Sequence, residues 1–508
     1  MPSAATSHQP PPTAPGALPL LGHSLRLVRD PLPFVGGLRE QGELVRIRVG
    51  TRPALVVCHP SLVHEVLVTQ AHRFEKGGII FEHLKPVSGN GLFTVEEPDH
   101  LRHRRLMQPA FTKPAIAAYT QIMAEEAHRL SEAVGRAGTA DIKAATRPAV
   151  ARILLRSIFP TMPPERVLHF LRCLDTVFAG VFARIVLPVD FLHELPLPRN
   201  VRYQRALEQS WATATSIVAE ARAAQRSGAH GAGLLPEFMR AGAGVGTDAG
   251  TGAAAGADTD RRAQAGTGAG SNADADTNTN TGTGTGTGTG KNPAPGTGFT
   301  DTQLRDQVMS LLLAGSENAA TVVALACHHL AHDPRVERLL HAEVDSLPAT
   351  PDAGLVASLP YTARVATEIL RLYPPVWCID RRAQENFTLA GHRFPAGTDV
   401  IVSPYLLHHD PELFPDPEHF LPERWEPGRT SERARAAFIP FGAGNRKCIG
   451  DAFGMAEATV LLAVLTRSWR LRPAPGARVR VLARAPLAAR GVVMRVEKRT
   501  EVPADRGQ

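Results

Sequence analysis

The sequence has 508 residues, 43% of them hydrophobic and 21% charged, which is an ordinary globular composition with enough apolar material for a large core. Length alone predicts two or three domains. The net charge of +7 comes from dispersed basic residues without an aromatic-basic stripe, so it does not indicate a nucleic-acid-binding protein, and we expect none as a partner. The five cysteines are scattered and form no C-x-x-C pair, so they favour neither a zinc site nor a disulfide framework but a reducing, cytoplasmic setting.

The N-terminal residues 1–22 are rich in proline and alanine and contain no basic run. Their longest apolar stretch, residues 16–21, is far shorter than the roughly 20 residues that a membrane span needs. We therefore expect a flexible tail and no membrane span.

The first predicted elements follow this tail. Residues 43–58 contain two runs rich in β-branched residues around a turn at residues 50–53, which predicts a β-hairpin. Pro60 then opens a helix. Residues 75–93 contain four glycines and one proline among apolar side chains, and this composition predicts a loop.

A short basic helix is predicted after Pro98. His100 and Arg104 are four residues apart and so share one helix face. By itself the pattern favours a solvated basic helix, while a His/Arg pair on one face is also able to bind an anionic ligand.

The middle of the chain contains a low-complexity segment at about residues 241–298, ending in a Thr-Gly repeat. It consists of Gly, Ala, Thr, Asp and Asn, a composition that buries too little apolar surface to offset the entropy of ordering. We expect a disordered insertion in a surface loop. Closure entropy grows only logarithmically with loop length, so such an insertion need not divide the domain.

A long helix is predicted from the capping box Thr300-Asp-Thr-Gln303 to about His332, roughly 50 Å at 1.5 Å per residue. Gly315 lies in its centre, where glycine costs about 1 kcal/mol relative to alanine. Close approach of a ligand to the backbone is one reason to accept that cost.

Two features follow in the C-terminal third. Glu368 and Arg371 are three residues apart on a predicted helix, a spacing that alone indicates no more than a surface ion pair worth about 0.3 kcal/mol. Residues 387–389 and 392–394, turned by Ala390-Gly391, and residues 399–402 predict a small sheet.

The most informative stretch is residues 441–450, which read F-G-A-G-N-R-K-C-I-G and precede a predicted helix. A cysteine at a helix N-terminus beside cations should have a depressed pKa and exist as thiolate. Glycines without Cβ atoms let the backbone approach a flat ligand. Such a thiolate suits axial ligation of haem iron, whereas a lone buried structural cysteine would be the ordinary alternative.

This stretch resembles the haem-binding loop of the cytochrome P-450 superfamily, F-x-x-G-x-R-x-C-x-G, and matches it at Phe441, Gly444, Arg446, Cys448 and Gly450. The resemblance implies a mainly α fold with a small β region, a single large helical domain and a long central helix over the haem. It covers residues 23–498 apart from the insertion, and it leaves residues 499–508 as a second flexible tail.

The resemblance also implies that the cofactor is haem b, and it assigns roles to the residues around it. Cys448 is the axial iron ligand and Phe441 shields its sulfur. The family's H-x-x-x-R and R-x-[AL] positions correspond here to His100, Arg104 and Arg381, which with Arg446 would neutralise the propionates. Arg382 is the alternative to Arg381.

The long helix resembles the family pattern A-G-x-[DE]-T-[TS] and matches at Ala314, Gly315 and Glu317, but Asn318 stands where threonine is usual. An amide donates a hydrogen bond and holds water but cannot relay a proton by rotating a hydroxyl. Asn318 either organises a water that replaces the hydroxyl, which we favour, or marks an atypical reaction such as peroxide use or a rearrangement.

In the family, E-x-x-R forms a buried charge network with an arginine of a later P-E-R-W segment, here Arg424. Two cationic partners explain how these charges could be buried together. The resemblance therefore assigns Glu368, Arg371 and Arg424 structural roles.

The implied function is a haem-thiolate monooxygenase that activates O2 reductively and inserts one oxygen atom into a C–H or C=C bond of a hydrophobic molecule. Because no reductase domain is recognised, electrons from NAD(P)H would arrive through a ferredoxin reductase and a ferredoxin. The N-terminal half is most similar to actinobacterial enzymes that oxidise terpenoids in secondary metabolism. We expect a cytoplasmic monomer. The rival from another class is a haem-thiolate sensor or carrier without turnover.

Overall fold

The computed structural model describes residues 10–159, 164–186, 190–228, 233–241, 298–348, 355–484 and 486–499. The low-complexity insertion predicted to be disordered lies outside these residues, apart from its two end positions, Ala241 and Gly298. So does most of the C-terminal tail.

Helices dominate the described chain, as the resemblance implied. In chain order they are α1 (Ser24–Arg29), α2 (Pro31–Gly36), α3 (Pro60–His64), α4 (Gly78–Ser88), α5 (Asp99–Met107), α6 (Lys113–Ala137), α7 (Ile142–Ile158), α8 (Pro164–Val186), α9 (Asp190–Glu194), α10 (Pro198–Arg226), α11 (Leu234–Ala241), α12 (Asp301–Gly315), α13 (Asn318–His332), α14 (Pro334–Asp345), α15 (Pro360–Leu372), α16 (Pro404–His408), α17 (Glu432–Ala437) and α18 (Asp451–Ser468).

The strands form small sheets. They are β1 (Leu44–Val49), β2 (Arg52–Val57), β3 (Phe74–Glu75), β4 (Thr139–Asp141), β5 (Ile379–Ala383), β6 (Phe387–Leu389), β7 (His392–Phe394), β8 (Asp399–Val402), β9 (Trp469–Pro473), β10 (Arg480–Leu482), β11 (Ala488–Arg490) and β12 (Val493–Lys498). The largest sheet has the order β1-β2-β8-β5-β3, with β2 and β8 parallel and the other neighbours antiparallel.

The predicted hairpin is confirmed, because β1 and β2 pair antiparallel with Leu44 opposite Val57. The predicted strands at 387–389, 392–394 and 399–402 are also confirmed, but they belong to two sheets. β6 and β7 pair with each other, whereas β8 lies in the large sheet.

Two hydrophobic cores hold these layers. The larger one is built by the central helices, and α13 and α18 are buried nearly all round. A helix that is apolar on every side is a core helix, and this explains why neither shows a clear polar face. The smaller core covers the sheet of β1, β2 and β8.

The stretch Asp301–His332 is apolar and long enough to cross a membrane, with a mean hydropathy of 1.5, but 72% of its most apolar window is buried inside the protein. It therefore has the burial of a core helix.

Part of the N-terminal tail, which we expected to be flexible, lies against the large sheet. Thr13 bridges to Arg46 of β1, and Ala14 is buried. The His23 ring contacts the Ala14 carbonyl at 3.0 Å and accepts from the backbone of Arg48 at 2.9 Å. Residues 10–22 thus run along the sheet rather than extending from it.

The prediction of a loop at residues 75–93 is wrong for the central part of this segment, which forms α4. Ile80, Leu84 and Val87 have helical spacing and pack into the larger core. Pro86 lies inside this helix, where it removes one intrahelical N–H donor, and the helix ends two residues later at Ser88. The glycines and the proline had masked this periodicity.

The segment after α4 is attached to α12. Asp306 accepts from the backbone N–H of Asn90 at 2.8 Å, and the Gln307 amide oxygen accepts from that of Leu92 at 2.7 Å. The other end of the Gln307 amide contacts the His103 ring at 3.0 Å. One buried turn of α12 therefore fixes both the loop and α5.

The long helix predicted from Thr300 to His332 begins as expected, with both bonds of the capping box present. The prediction of one continuous helix is wrong, because α12 ends at Gly315 and α13 begins at Asn318. The break lies within the predicted A-G-x-E-N motif, and Glu317 has φ −129° and ψ −30°, away from helical values.

Candidate functional site

The loop of residues 441–450 is fixed by its own backbone. The Cys448 N–H donates to the Phe441 carbonyl at 2.9 Å, and that of Lys447 donates to the Gly444 carbonyl at 3.1 Å. Gly444 has φ +69°, and a Cβ there would lie 2.0 Å from the Leu67 carbonyl oxygen. Glycine is therefore required at position 444 by both backbone conformation and packing.

Gly450 is different. Its φ is −95°, and an added Cβ would meet no atom nearer than the Phe111 ring at 3.7 Å. Neither the backbone nor the packing requires glycine at this position. The loop thus keeps open space two residues after Cys448.

Cys448 retains exposed surface, although burial raises the pKa of its thiol and Asp451 raises it further. A side chain that is accessible yet densely surrounded by protein faces a concave space. The predicted depressed pKa is wrong for the protein alone, because desolvation outweighs the Gly450 N–H, Arg104 and Lys76, all of which lower the pKa. Without a metal, the sulfur is a thiol at neutral pH.

Cationic side chains surround the same region. Burial lowers the pKa of Lys76 well below its usual range, and the neighbouring Arg381 and Arg446 lower it further, while Cys448 and Glu75 oppose them. The Lys76 ammonium donates to the Phe93 carbonyl. Three basic side chains thus share one region in which burial opposes their charge, and Glu75 is the carboxylate that acts on all three.

Arg381 and its neighbour Arg382 make different contacts. Arg382 is bidentate with Asp399, at 2.6 and 3.0 Å, and also contacts Glu82 at 3.1 Å. Arg381 is buried, its guanidinium donates to the backbone carbonyl of Asp380 at 2.9 Å, and burial beside Arg446 lowers its pKa to about 10. Arg382 is therefore committed to an ion-pair network, whereas Arg381 keeps donors for an anion.

Arg446 is engaged within the protein. It donates to the Val95 carbonyl at 2.6 Å and pairs with Glu75 at 2.5 Å and, more distantly, with Glu97 at 3.8 Å. The guanidinium group has five donors, so these contacts leave capacity for a further acceptor. The loop is thereby tied to the segment before α5.

His100 and Arg104 lie on α5 as predicted, but they make different contacts. The His100 Nδ1 is 3.0 Å from Glu97, and burial with the nearby Arg446 lowers its pKa to about 4. Since Glu97 accepts at Nδ1, the neutral ring has no second proton for another acceptor. Arg104 donates to the Lys447 carbonyl at 2.5 Å and so supports the cysteine loop.

The break between α12 and α13 is closed by a side chain. The Asn318 amide donates to the Ala314 carbonyl at 2.8 Å, which satisfies an acceptor freed where the helix stops. Asn318 Oδ1, Ser316 Oγ and Thr321 Oγ are buried without a partner in the described chain. Ala314 itself is exposed within this otherwise buried stretch. Unsatisfied polar atoms beside accessible backbone suit water or a small polar ligand.

Gly315 has a packing neighbour that the sequence did not reveal. An added Cβ would lie 2.9 Å from a terminal carbon of Leu154 on α7. The close approach at this glycine is therefore to α7, a different reason from the ligand contact that we expected.

Glu317 is held by two cations of α7. Its carboxylate is 3.0 Å from Arg147 and 3.9 Å from Lys143. Arg147 also pairs with Asp175 of α8 at 2.5 Å. Burial lowers the pKa of Lys143, while Glu317 raises it. The Glu317 carboxylate is therefore not free in solvent. It belongs to a chain of ion pairs that links the start of α13 to α7 and α8.

The E-x-x-R pair is fully buried. Both side chains are 0% exposed, and Arg371 is bidentate with Glu368 at 3.0 and 2.8 Å. The Glu368 carboxylate also accepts from the Trp425 indole at 2.8 Å and the Leu421 N–H at 3.1 Å, and Arg424 lies 3.5 Å away. Every predicted member of the network is brought together.

Arg371 extends the network to the backbone. Its remaining donors bond to the carbonyls of His408, Pro417 and His419, at 2.9, 2.7 and 3.1 Å. The ion pair is therefore satisfied on both sides, which is the condition under which buried charges are tolerated. It fastens α15 to the chain that leads to the cysteine loop.

Three site residues were missed from sequence: Lys76, Lys143 and Arg147. Lys76 was hidden in a segment predicted as a loop. Lys143 and Arg147 are four residues apart on one helix face, a visible pattern, but nothing in the sequence links that face to Glu317.

A family model described as Cytochrome P450 matches residues 11–241 and 285–500. The unmatched stretch between these ranges falls inside the low-complexity insertion. The matched ranges include the cysteine loop, the helix break and the E-x-x-R network.

Characterised relatives are similar over nearly the whole chain. Cyclooctatin synthase of Streptomyces melanosporofaciens is 37% identical, covering 94% of this chain and 93% of its own. Cyclooctat-9-en-7-ol 5-monooxygenase of the same organism is 36% identical, covering 91% and 90%. Pentalenene oxygenase of Streptomyces avermitilis is 32% identical, covering 93% and 94%.

The buried pair predicts a strong effect of Glu368→Ala. The substitution leaves Arg371 charged and unpaired in the interior, which should cost about 3–5 kcal/mol and abolish haem incorporation. Haem content per chain and soluble yield measure this.

The matched control is Glu385→Ala, which removes an exposed carboxylate 3.2 Å from Arg73 and should change stability by less than about 0.5 kcal/mol. A stable, haem-replete Glu368→Ala protein would contradict the structural role.

Proposed function

The chain belongs to the cytochrome P450 family and is an oxidoreductase, and we propose that it inserts one oxygen atom from O2 into a hydrophobic terpenoid. The observation that carries the oxidoreductase chemistry is Cys448, an accessible thiol in a rigid loop beside buried cations. The terpenoid class rests on three relatives named for cyclooctatin, cyclooctatenol and pentalenene.

The residues fit a haem. Cys448 faces a concave space, Gly450 lacks a Cβ where the protein itself would tolerate one, and Lys76, Arg381 and Arg446 place positive charge nearby. A porphyrin with two propionates would fill that space and neutralise that charge. When bound as a thiolate complex, haem supplies O2 activation.

The propionates have identifiable partners. Arg381 keeps free donors, Arg446 has donors beyond its bonds to Glu75, and Lys76 is a buried ammonium without a carboxylate of its own. We assign these three as the main anion partners. His100 would also bind a propionate once its ring is protonated, and a neighbouring carboxylate such as Glu97 favours the protonated ring. Arg104 would act indirectly, by holding the backbone carbonyl of Lys447 in the cysteine loop.

Glu317 and Asn318 would manage protons at the helix break. Glu317 is held by Arg147 and Lys143, and Asn318 leaves one amide oxygen unsatisfied near Thr321. A water bonded to that oxygen would stand where the family's threonine hydroxyl is usual. This arrangement favours a normal monooxygenase over a peroxide-driven or rearrangement reaction.

Electrons would come from NAD(P)H through a ferredoxin reductase and a ferredoxin. Arg105 and Lys113 are exposed beside the loop-supporting helix α5, and Lys447 is half-exposed although paired with Asp451 at 2.6 Å. These cations suit an acidic partner, and such docking weakens with added salt. We further propose a cytoplasmic monomer built as one domain from residue 23 to 498, with the insertion as a surface loop.

Turnover with isotope-labelled O2 tests the function. With NADPH, a surrogate ferredoxin and its reductase, polycyclic terpene hydrocarbons and alcohols should yield products one labelled oxygen atom heavier. Cys448→Ala should yield none. Binding of these compounds without electron consumption would instead support a sensor or carrier, and product formation from peroxide alone would support the atypical reaction.

The role of Asn318 predicts that Asn318→Ala lowers the fraction of consumed electrons recovered in product by about tenfold, because it removes both the amide oxygen and the bond to Ala314. Simultaneous assay of NADPH, peroxide and product measures this fraction.

Asn318→Thr is the matched control. Its hydroxyl can bond back to the Ala314 carbonyl and should keep coupling near the wild-type value. Unchanged coupling in Asn318→Ala would remove any proton-delivery role for this residue.

Lys76→Met tests the missed cation. Loss of one charge-assisted contact should speed haem release by about 10- to 100-fold, since such bonds contribute roughly 1.5–3 kcal/mol. Transfer of haem to excess apomyoglobin measures the release rate.

Lys85→Met, an exposed lysine of α4, should release haem at the wild-type rate. Equal rates for Lys76→Met and the wild type would exclude Lys76 from haem binding.

A further inference from the structure

A second cavity lies between α8 and α10, and of its lining residues only Asp175 belongs to the chain of ion pairs of Glu317. It has a volume of about 380 Å³, within the range of small-molecule sites. Small side chains of α8, namely Ala179, Gly180 and Ala183, make room for it. Gly180 is required here, because a Cβ would lie 2.1 Å from the Tyr203 ring.

Three arginines line this cavity: Arg184, Arg199 and Arg202. The Arg184 guanidinium stacks 3.8 Å from the centre of the Tyr203 ring, and it donates to the Gly180 carbonyl at 3.1 Å. Arg202 donates to the Pro198 carbonyl at 3.3 Å. Throughout the described part of the chain, no carboxylate pairs with any of the three.

The opposite end of the same helix pair is built differently. There Arg166 of α8 pairs with Glu220 of α10 at 2.7 Å and also donates to Ser216 at 3.0 Å. The sequence thus supplies an acid where an arginine serves to join these helices. Among the described residues that line the cavity, three are arginines, and none of them is paired with an acid in this way.

The cavity wall does contain one carboxylate, that of Asp175. It is already neutralised by Arg147 at 2.5 Å. It therefore does not cancel the charge of Arg184, Arg199 and Arg202, and the cavity keeps an excess of positive charge.

We propose that this cavity binds a small polyanion of the phosphate class. Guanidinium groups present planar donor pairs that match phosphate oxygens in bidentate geometry, and three of them around one cavity suit a ligand with adjacent phosphates. The site is independent of the proposed terpenoid oxidation and would exist whatever the substrate.

Calorimetric titration of the haem-loaded protein with inorganic diphosphate tests this site. We expect saturable binding with one site per chain that weakens by at least about tenfold in the double variant Arg199→Ala/Arg202→Ala, because two charge-assisted contacts are lost. Both side chains are exposed, so the variant should fold, and an unchanged Soret spectrum verifies that.

Arg205→Ala is the matched control, since Arg205 is an exposed arginine of the same helix outside the cavity, and its affinity should stay within about twofold. Absence of saturable binding to the wild type would overturn the proposal. So would equal affinity in the double variant, or an equal loss in Arg205→Ala, which would indicate unspecific attraction to a basic surface.

Discussion

The Cys448 sulfur lies where burial opposes its negative charge, and burial likewise opposes the positive charges of Lys76, Arg381 and Arg446 nearby. Neither condition is favourable for a protein alone. Both are resolved together by a ligand that brings a metal to the sulfur and anionic groups to Lys76, Arg381 and Arg446. Most of the surrounding structure serves to keep these groups in place until that ligand is bound.

Two supports hold the sulfur from different sides. Gly444 allows the cysteine loop to touch the backbone of Leu67 in the segment after α3, a contact that a side chain would block. Behind the loop, the buried pair of Glu368 and Arg371 binds α15 to the carbonyls of the approaching chain. A buried ion pair adds little net stability, but once formed it permits few alternative arrangements, and this suits a loop that must not drift.

Much of this site could be predicted from sequence because its parts are local. The cysteine loop, the hairpin and the capping box at Thr300 each lie within one short run of consecutive residues, where spacing and glycine placement are visible. The E-x-x-R network was recognisable only through family resemblance, since its own pattern indicates no more than a surface pair.

The predictions that failed share one physical cause, which is that contacts between distant parts of the chain decide the outcome. The pKa of Cys448 depends on how much protein surrounds it, Glu317 at the helix break pairs with Arg147 of α7, and Gly315 accommodates Leu154 from more than a hundred residues away. In α4 the apolar periodicity was present but masked by glycines and a proline. Local patterns do not contain the partners that decide such cases.

Thiolate ligation of haem iron by Cys448 is tested most directly by the absorption spectrum of the reduced protein with carbon monoxide. We predict the strongly red-shifted Soret band of a sulfur-ligated porphyrin in the wild type and the loss of that band in Cys448→His. A wild-type band at the position of nitrogen-ligated haem, or a protein that stays colourless when supplied with haem, would contradict it.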